Sequence, residues 1–164
     1  LLRVTSGQTD DPDAAALMVE TAIDDMNPEL FGFIMERLFG LGVLDVCLIP
    51  VQMKKNRPGT LLKVLCRPHL RDAVIALILA ETTTLGVRWY PVERRVLARE
   101  SIEIDTVFGR LIAKKIHMPD NTYRIVPEYD VCREIALREK LPIRVIYERI
   151  MGHADPLTDG FPRS

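Results

Sequence analysis

The chain has 164 residues, of which 48% are hydrophobic and 27% charged; this length suits one compact domain with a small appendage, and this balance excludes a disordered chain or a fibrous repeat. A formal net charge of -1 argues against nucleic acid as the partner, and the longest apolar run, Ala73 to Ala80, falls far short of the roughly 20 residues of a membrane helix.

Residues 1–12 lack the basic start and apolar centre of a signal peptide and read as a polar linker in a piece of a longer protein. The first predicted strand runs from Ala14 to Ile23 and stops at the acidic pair Asp24-Asp25. Asn27-Pro28-Glu29 then offers a capping side chain, a first-turn proline and an acid near the positive end of the dipole, so a helix begins there. Leu30, Ile34, Leu38 and Leu41 form its apolar stripe until Gly40 and Gly42 stop it. Val43 to Met53 is β-branched and aliphatic without a helical period, which predicts a second strand. Lys54 to Gly59 has the composition of a loop, Thr60 to Cys66 reads as a third strand, and Pro68 opens a second amphipathic helix that ends near Thr82-Thr83-Thr84. A fourth strand is expected from Leu85 to Val92.

Strand, helix, strand, strand, helix, strand is the order of a ferredoxin-like α+β fold, here expected over residues 13–98. Alternation at Ile102, Ile104 and Thr106, a turn near Phe108-Gly109 and the run Arg110 to His117 predict a β-hairpin extension over 99–118. Residues 119–151 are read as a helical segment, with helices from Glu128 to Lys140 and from Pro142 to Met151, followed by a flexible tail over 152–164.

Charge is distributed unevenly. From Asp10 to Asp45 the acids are opposed only by Arg37, whereas from Val46 to Arg71 there are Lys54, Lys55, Arg57, Lys63, Arg67 and Arg71 and no acid. Topology says where these charges go. A right-handed crossover makes the first and second strands parallel, so Asp24-Asp25, the Lys54 to Gly59 loop and the Glu81 to Thr84 junction all arrive at one edge of the sheet. Carboxylates suit a hard divalent cation, and Lys and Arg neutralise phosphate, so together these groups can hold a metal–nucleotide. Each cation within 4 Å of a phosphate charge is worth about 4 kcal/mol at an effective dielectric near 20, before desolvation. The blander readings are a solvated hairpin tip for Lys54-Lys55-Asn56-Arg57, a helix-dipole role for Asp24-Asp25, and a plain helix-to-strand junction for the threonines. Cys47, Cys66 and Cys132, like His69, His117 and His153, are scattered without metal-ligand spacing, which predicts a reducing, cytoplasmic setting and no soft-metal cage.

The runs Glu20-Thr21-Ala22-Ile23-Asp24-Asp25-Met26-Asn27-Pro28-Glu29, Gln52-Met53-Lys54-Lys55-Asn56-Arg57-Pro58-Gly59, Glu81-Thr82-Thr83-Thr84-Leu85-Gly86-Val87-Arg88 and Pro127-Glu128-Tyr129-Asp130-Val131-Cys132 resemble the signature of the LarC family, and the likeness extends from Leu17 to Met151. The resemblance implies the C-terminal part of a nickel-inserting enzyme. Such an enzyme uses CTP with Mg²⁺ or Mn²⁺ to place nickel in a pyridinium bisthiocarboxylate mononucleotide, the pincer cofactor of lactate racemase. It also implies an N-terminal domain outside this chain. Ala22 stands where an asparagine is expected, which weakens binding if that amide touches ligand.

On these grounds Asp24, Asp25 and Glu20 are the expected metal ligands. Lys54, Lys55, Asn56, Arg57, Gly59, Thr83, Thr84 and Arg88 are the expected nucleotide contacts, with Gly59 admitting close backbone approach to an anion. No catalytic nucleophile is assigned. Two other classes fit the same topology: a PII-like nucleotide sensor that binds without turnover, and an assembly module whose hairpin and C-terminal helices join subunits into a homo-oligomer of trimeric or hexameric kind.

Overall fold

The computed structural model describes residues 15–154; the expected linker over 1–12 and most of the expected tail lie outside that range. The chain folds as two compact units divided between Arg94 and Arg95, slightly ahead of the boundary expected at 98.

The first unit contains β1 (Ala16–Ile23), α1 (Leu30–Gly40), β2 (Asp45–Met53), β3 (Arg57–Cys66), α2 (Arg71–Glu81) and β4 (Arg88–Val92). Its sheet has the order β2-β3-β1-β4, and every neighbouring pair is antiparallel, which makes β1 and β2 parallel to one another as the crossover rule requires. This is the ferredoxin-like arrangement. Val19, Leu62, Val64 and Val46 lie on the helix-covered face and pack with Ile34 and Leu38 of α1 and Val74, Leu77 and Ile78 of α2. Burying each such aliphatic side chain is worth roughly 1.5–3 kcal/mol.

Local details differ from the sequence reading for identifiable reasons. In α1 the buried stripe is Phe31, Ile34 and Leu38, while Leu30 and Phe39, each next to a residue of that stripe, are about half exposed, at 46% and 48%. Asn27 does act at that start: its Oδ1 accepts from the Glu29 N–H at 3.2 Å. Gly42, at φ +83, lets the chain leave the helix in a left-handed conformation that a side chain would oppose. The loop expected from Lys54 to Gly59 is only three residues long, Lys54–Asn56, and Arg57, Pro58 and Gly59 already belong to β3. The fourth strand starts at Arg88, not at Leu85, because the preceding segment is tied to β1 by side-chain hydrogen bonds described below; Leu85 itself is fully exposed.

The second unit contains β5 (Arg99–Thr106), β6 (Gly109–His117), β7 (Tyr123–Pro127), α3 (Tyr129–Glu139) and α4 (Ile143–Ala154). The expected hairpin is present as β5 and β6. It is extended by β7, paired antiparallel to β6 from Ala113↔Pro127 to His117↔Tyr123, so the 119–151 segment is not purely helical. Five residues holding an arginine and a terminal proline give too short an alternation to read as a strand. Helix α4 continues through Gly152 to Ala154, which overturns a tail beginning at 152. Ile102, Ala113, Cys132, Ile135, Ile146 and Ile150 form a separate core for this unit. Among the described residues no helix is long and apolar enough to cross a membrane.

A Cβ built on Gly59 would lie 2.6 Å from Met53 Sδ and 2.8 Å from the Ile23 carbonyl oxygen. The missing side chain is therefore used where β3 passes the ends of β1 and β2. Gly59→Ala is expected to cost about 1–3 kcal/mol through this overpacking, measured by urea unfolding; wild-type stability would show that the strands yield without cost.

Candidate functional site

The ends of β1, β2 and α2 bring the three predicted segments together. Asp24 leaves β1 and its Oδ2 accepts from Arg57 Nη1, on the first residue of β3, at 3.3 Å. Asp25, one residue on, accepts through Oδ1 from the Thr83 hydroxyl. Asp24 is mostly sheltered, with 17% of its side chain exposed, and Arg57 remains 55% exposed. At this exposure the pair is worth at most about 1 kcal/mol to the fold. Its interest is that acid, base and hydroxyl face each other across three elements.

Lys54, Lys55 and Asn56 form the turn beside this cluster and are exposed. Lys55 and Asn56 have φ of 59° and 56°, a left-handed conformation that asparagine tolerates and lysine does not prefer. Two successive such residues turn β2 back into β3, and Met53 pairs with Arg57 directly across the turn.

The three threonines of the α2–β4 junction have separate partners. Thr82 closes the helix, its hydroxyl donating to the Ile78 carbonyl at 2.7 Å. Thr83 reaches Asp25. Thr84 turns inward: its hydroxyl lies 2.6 Å from that of Thr21, and both hydroxyls lie within reach of the Gly86 carbonyl, at 3.0 and 2.9 Å. Thr84 was expected to face the nucleotide, and its oxygen is taken up inside the fold instead.

Glu20 and Arg88 also differ from expectation. Glu20 is buried on β1, and Arg88 Nε donates to its Oε1 at 2.7 Å while Tyr90 Oη donates to its Oε2 at 3.2 Å. Lys63 Nζ is 3.7 Å from Oε2. Cross-strand register causes this, since Glu20 lies opposite Lys63 in β3 and Arg88 in β4. Burial pushes the Glu20 carboxyl up, but the bond and charge of Arg88, with Tyr90 and Lys63, outweigh it and hold the carboxyl below its ordinary value. The side chain is a satisfied ion-pair centre. Among the described residues no group of three or more His, Cys, Asp or Glu side chains is placed to hold a metal, so Glu20 does not complete a cage with Asp24 and Asp25. Lys63, Tyr90 and Thr21 were not singled out from sequence, although an antiparallel register of Glu20 against Lys63 carried the charge signal.

The donor set of the edge is two carboxylates, hydroxyls and exposed ammonium and guanidinium groups. That chemistry fits a hard cation bound mainly through phosphate oxygens, and it does not fit a soft-ligand site. A ferredoxin-like domain carrying a mixed acid–base edge at its strand ends is the class that fold and side chains define.

Residues 1–147 match the family model described as nickel insertion protein, and the chain belongs to that family. A nickel-insertion relative from Syntrophobacter fumaroxidans is 51% identical over 138 residues, covering 84% of this chain and 36% of the relative. The pyridinium-3,5-bisthiocarboxylic acid mononucleotide nickel insertion protein of Thermotoga petrophila is 36% identical over 134 residues, covering 82% of this chain and 34% of its own. The chain thus spans about a third of the length of these curated relatives. Among solved structures it is similar to LarC2, the C-terminal domain of a cyclometallase involved in the synthesis of the NPN cofactor of lactate racemase, with a TM-score of 0.80 and 35% identity over 86% of this chain and 97% of that one. A protein from Methanopyrus kandleri shares the fold at a TM-score of 0.59 and 26% identity, covering 83% of each chain.

Two outcomes are expected from this geometry. Glu20 has a folded pKa below 4.5, so its contribution to stability is present above the unfolded value and is lost as pH falls from 4.5 through the folded value. Urea unfolding across that window should show a steeper acid loss for the natural chain than for Glu20→Gln; identical slopes would remove Glu20 from the acid response. Lys55→Gly should gain up to about 1 kcal/mol by relieving the left-handed lysine, less the added freedom of the unfolded chain; a loss on unfolding would show that the turn is unstrained.

Proposed function

We propose that the first unit holds CTP with Mg²⁺ or Mn²⁺ at the Asp24–Asp25 edge, as the nucleotide-using part of a protein that inserts nickel into pyridinium-3,5-bisthiocarboxylic acid mononucleotide. The observation that carries the nucleotide reading is the convergence of Asp24 with Arg57 and of Asp25 with Thr83 beside the Lys54–Asn56 turn. The substrate reading rests on the family and on the name of the Thermotoga petrophila relative. The choice of cytidine and of the cation rests on the family resemblance.

In this proposal Asp24 and Asp25 hold the divalent cation, which when bound draws phosphate oxygens together and shields their charge. Lys54, Lys55 and Arg57 neutralise the remaining phosphate charge, and Asn56 offers an amide from the same turn. Arg88, anchored by Glu20 through its Nε, is held as a rigid cation at the start of β4, and Gly59 serves the strand packing behind the turn. Nucleotidyl transfer with pyrophosphate leaving needs positioning and charge neutralisation more than a protein nucleophile. Burial pushes the thiols of Cys66 and Cys132 up, so neither supplies a thiolate. Nickel is cargo in this scheme, and the whole protein's N-terminal region and a homo-oligomer of trimeric or hexameric kind are part of the same proposal.

Calorimetric titration of the chain with CTP, ATP, GTP and UTP, each with and without Mn²⁺, tests the reading. Metal-dependent binding of CTP supports it, and Lys54→Ala with Arg57→Ala should weaken that binding at least a hundredfold, since each lost cation removes about 1.5–3 kcal/mol, while melting stays near wild type. Unchanged affinity in the double variant removes this turn from the site. Release of CMP and pyrophosphate by the full-length protein separates turnover from nucleotide sensing.

A further inference from the structure

Resting on the nucleotide reading above, we infer that Thr21, a buried threonine of β1, is the positioning residue that sets the Thr83 hydroxyl against Asp25 by clamping the α2–β4 junction. Thr21 is 2% exposed and is one of two buried polar or charged side chains among the described residues, the other being Glu20. It lies on the helix-covered face, opposite Leu62 of the core, where an unpaired hydroxyl would be costly.

Its partners all belong to the junction. The Thr21 and Thr84 hydroxyls share one short contact of 2.6 Å, so one proton lies between them. With Thr21 donating to the Gly86 carbonyl at 2.9 Å, Thr84 donates to Thr21 and accepts the Gly86 N–H at 3.4 Å. The ring fixes Thr84 and Gly86 from a side chain inside the core. Thr82, bonded to Ile78, fixes the other end of the same short segment. Thr83 is held between two anchored neighbours, and its own hydroxyl is the one left to face Asp25. The fully exposed Leu85 contributes no packing that could do this instead.

The test compares Thr21→Val, which keeps shape and removes the hydroxyl, with Thr21→Ser, which keeps the hydroxyl, and with Thr84→Val, which breaks the ring from its other side. Amide hydrogen exchange of residues 82–88 and calorimetric affinity for Mn²⁺–CTP are measured on each, with circular dichroism as the check of folding. Thr21→Val and Thr84→Val are expected to speed exchange of that segment and weaken affinity about tenfold, without a further loss in the double variant, while Thr21→Ser stays within about twofold of wild type. Two results overturn the inference alone: wild-type exchange in Thr21→Val, or loosened exchange with unchanged affinity. If the natural chain binds no nucleotide triphosphate, the function proposed above falls and this inference falls with it. If Thr21→Val does not fold, Thr84→Val decides by the same two readouts.

Discussion

In the central antiparallel pair of the first unit Ile23, the last residue of β1, lies across from Thr60, three residues into β3. That register determines where the charges of the chain end up. The acidic stretch that contains β1 is set against the basic stretch that contains β3, and the signs separated along the sequence meet pairwise in space: Glu20 with Lys63, and Asp24 with Arg57. A slip of one residue would turn Glu20 onto the helix-covered face and strip it of Lys63 and Arg88 at once. A buried carboxylate without its cations is among the costlier defects a small fold can carry, so the ion-pair row also disfavours the alternative register.

The same pairing divides the polar side chains into two groups. Glu20, Arg88, Lys63 and Tyr90 satisfy one another within the sheet. Asp24, Asp25 and Thr83 lie beyond the strand ends, where side chains link the elements, and Asp24 meets Arg57 at the first residue of β3. Groups of the first kind are held by the fold and report on its stability. Groups of the second kind join the ends of different elements through side chains. The charged residues that looked equivalent in sequence divide in this way according to which strand or junction supplies their partner.

Much of this was legible in the chain. Element order, the ferredoxin-like topology and the meeting of three remote segments followed from hydrophobic periodicity and crossover handedness, because both are fixed by backbone geometry. What was not legible turned on side chains whose partners lie far along the sequence. Thr84 and Thr83 are adjacent and chemically identical, yet one faces Thr21 and the other Asp25, a distinction set by one residue of loop phase. Glu20 lies close in sequence to Asp24 and Asp25 and was grouped with them, but strand alternation and the approach of Arg88 from β4 separate it. Strand β7 escaped because its pairing partner, β6, supplies the order that its own five residues do not.

The placement of the thiols bears on metal traffic. Cys66 and Cys132 are fully buried and their ionisation is opposed by burial. A borderline-soft ion such as nickel competes best for thiolate, and a protonated, buried thiol is a poor ligand for it. In a family described by nickel insertion, two of the three sulfhydryls are thereby withdrawn as adventitious traps for the ion.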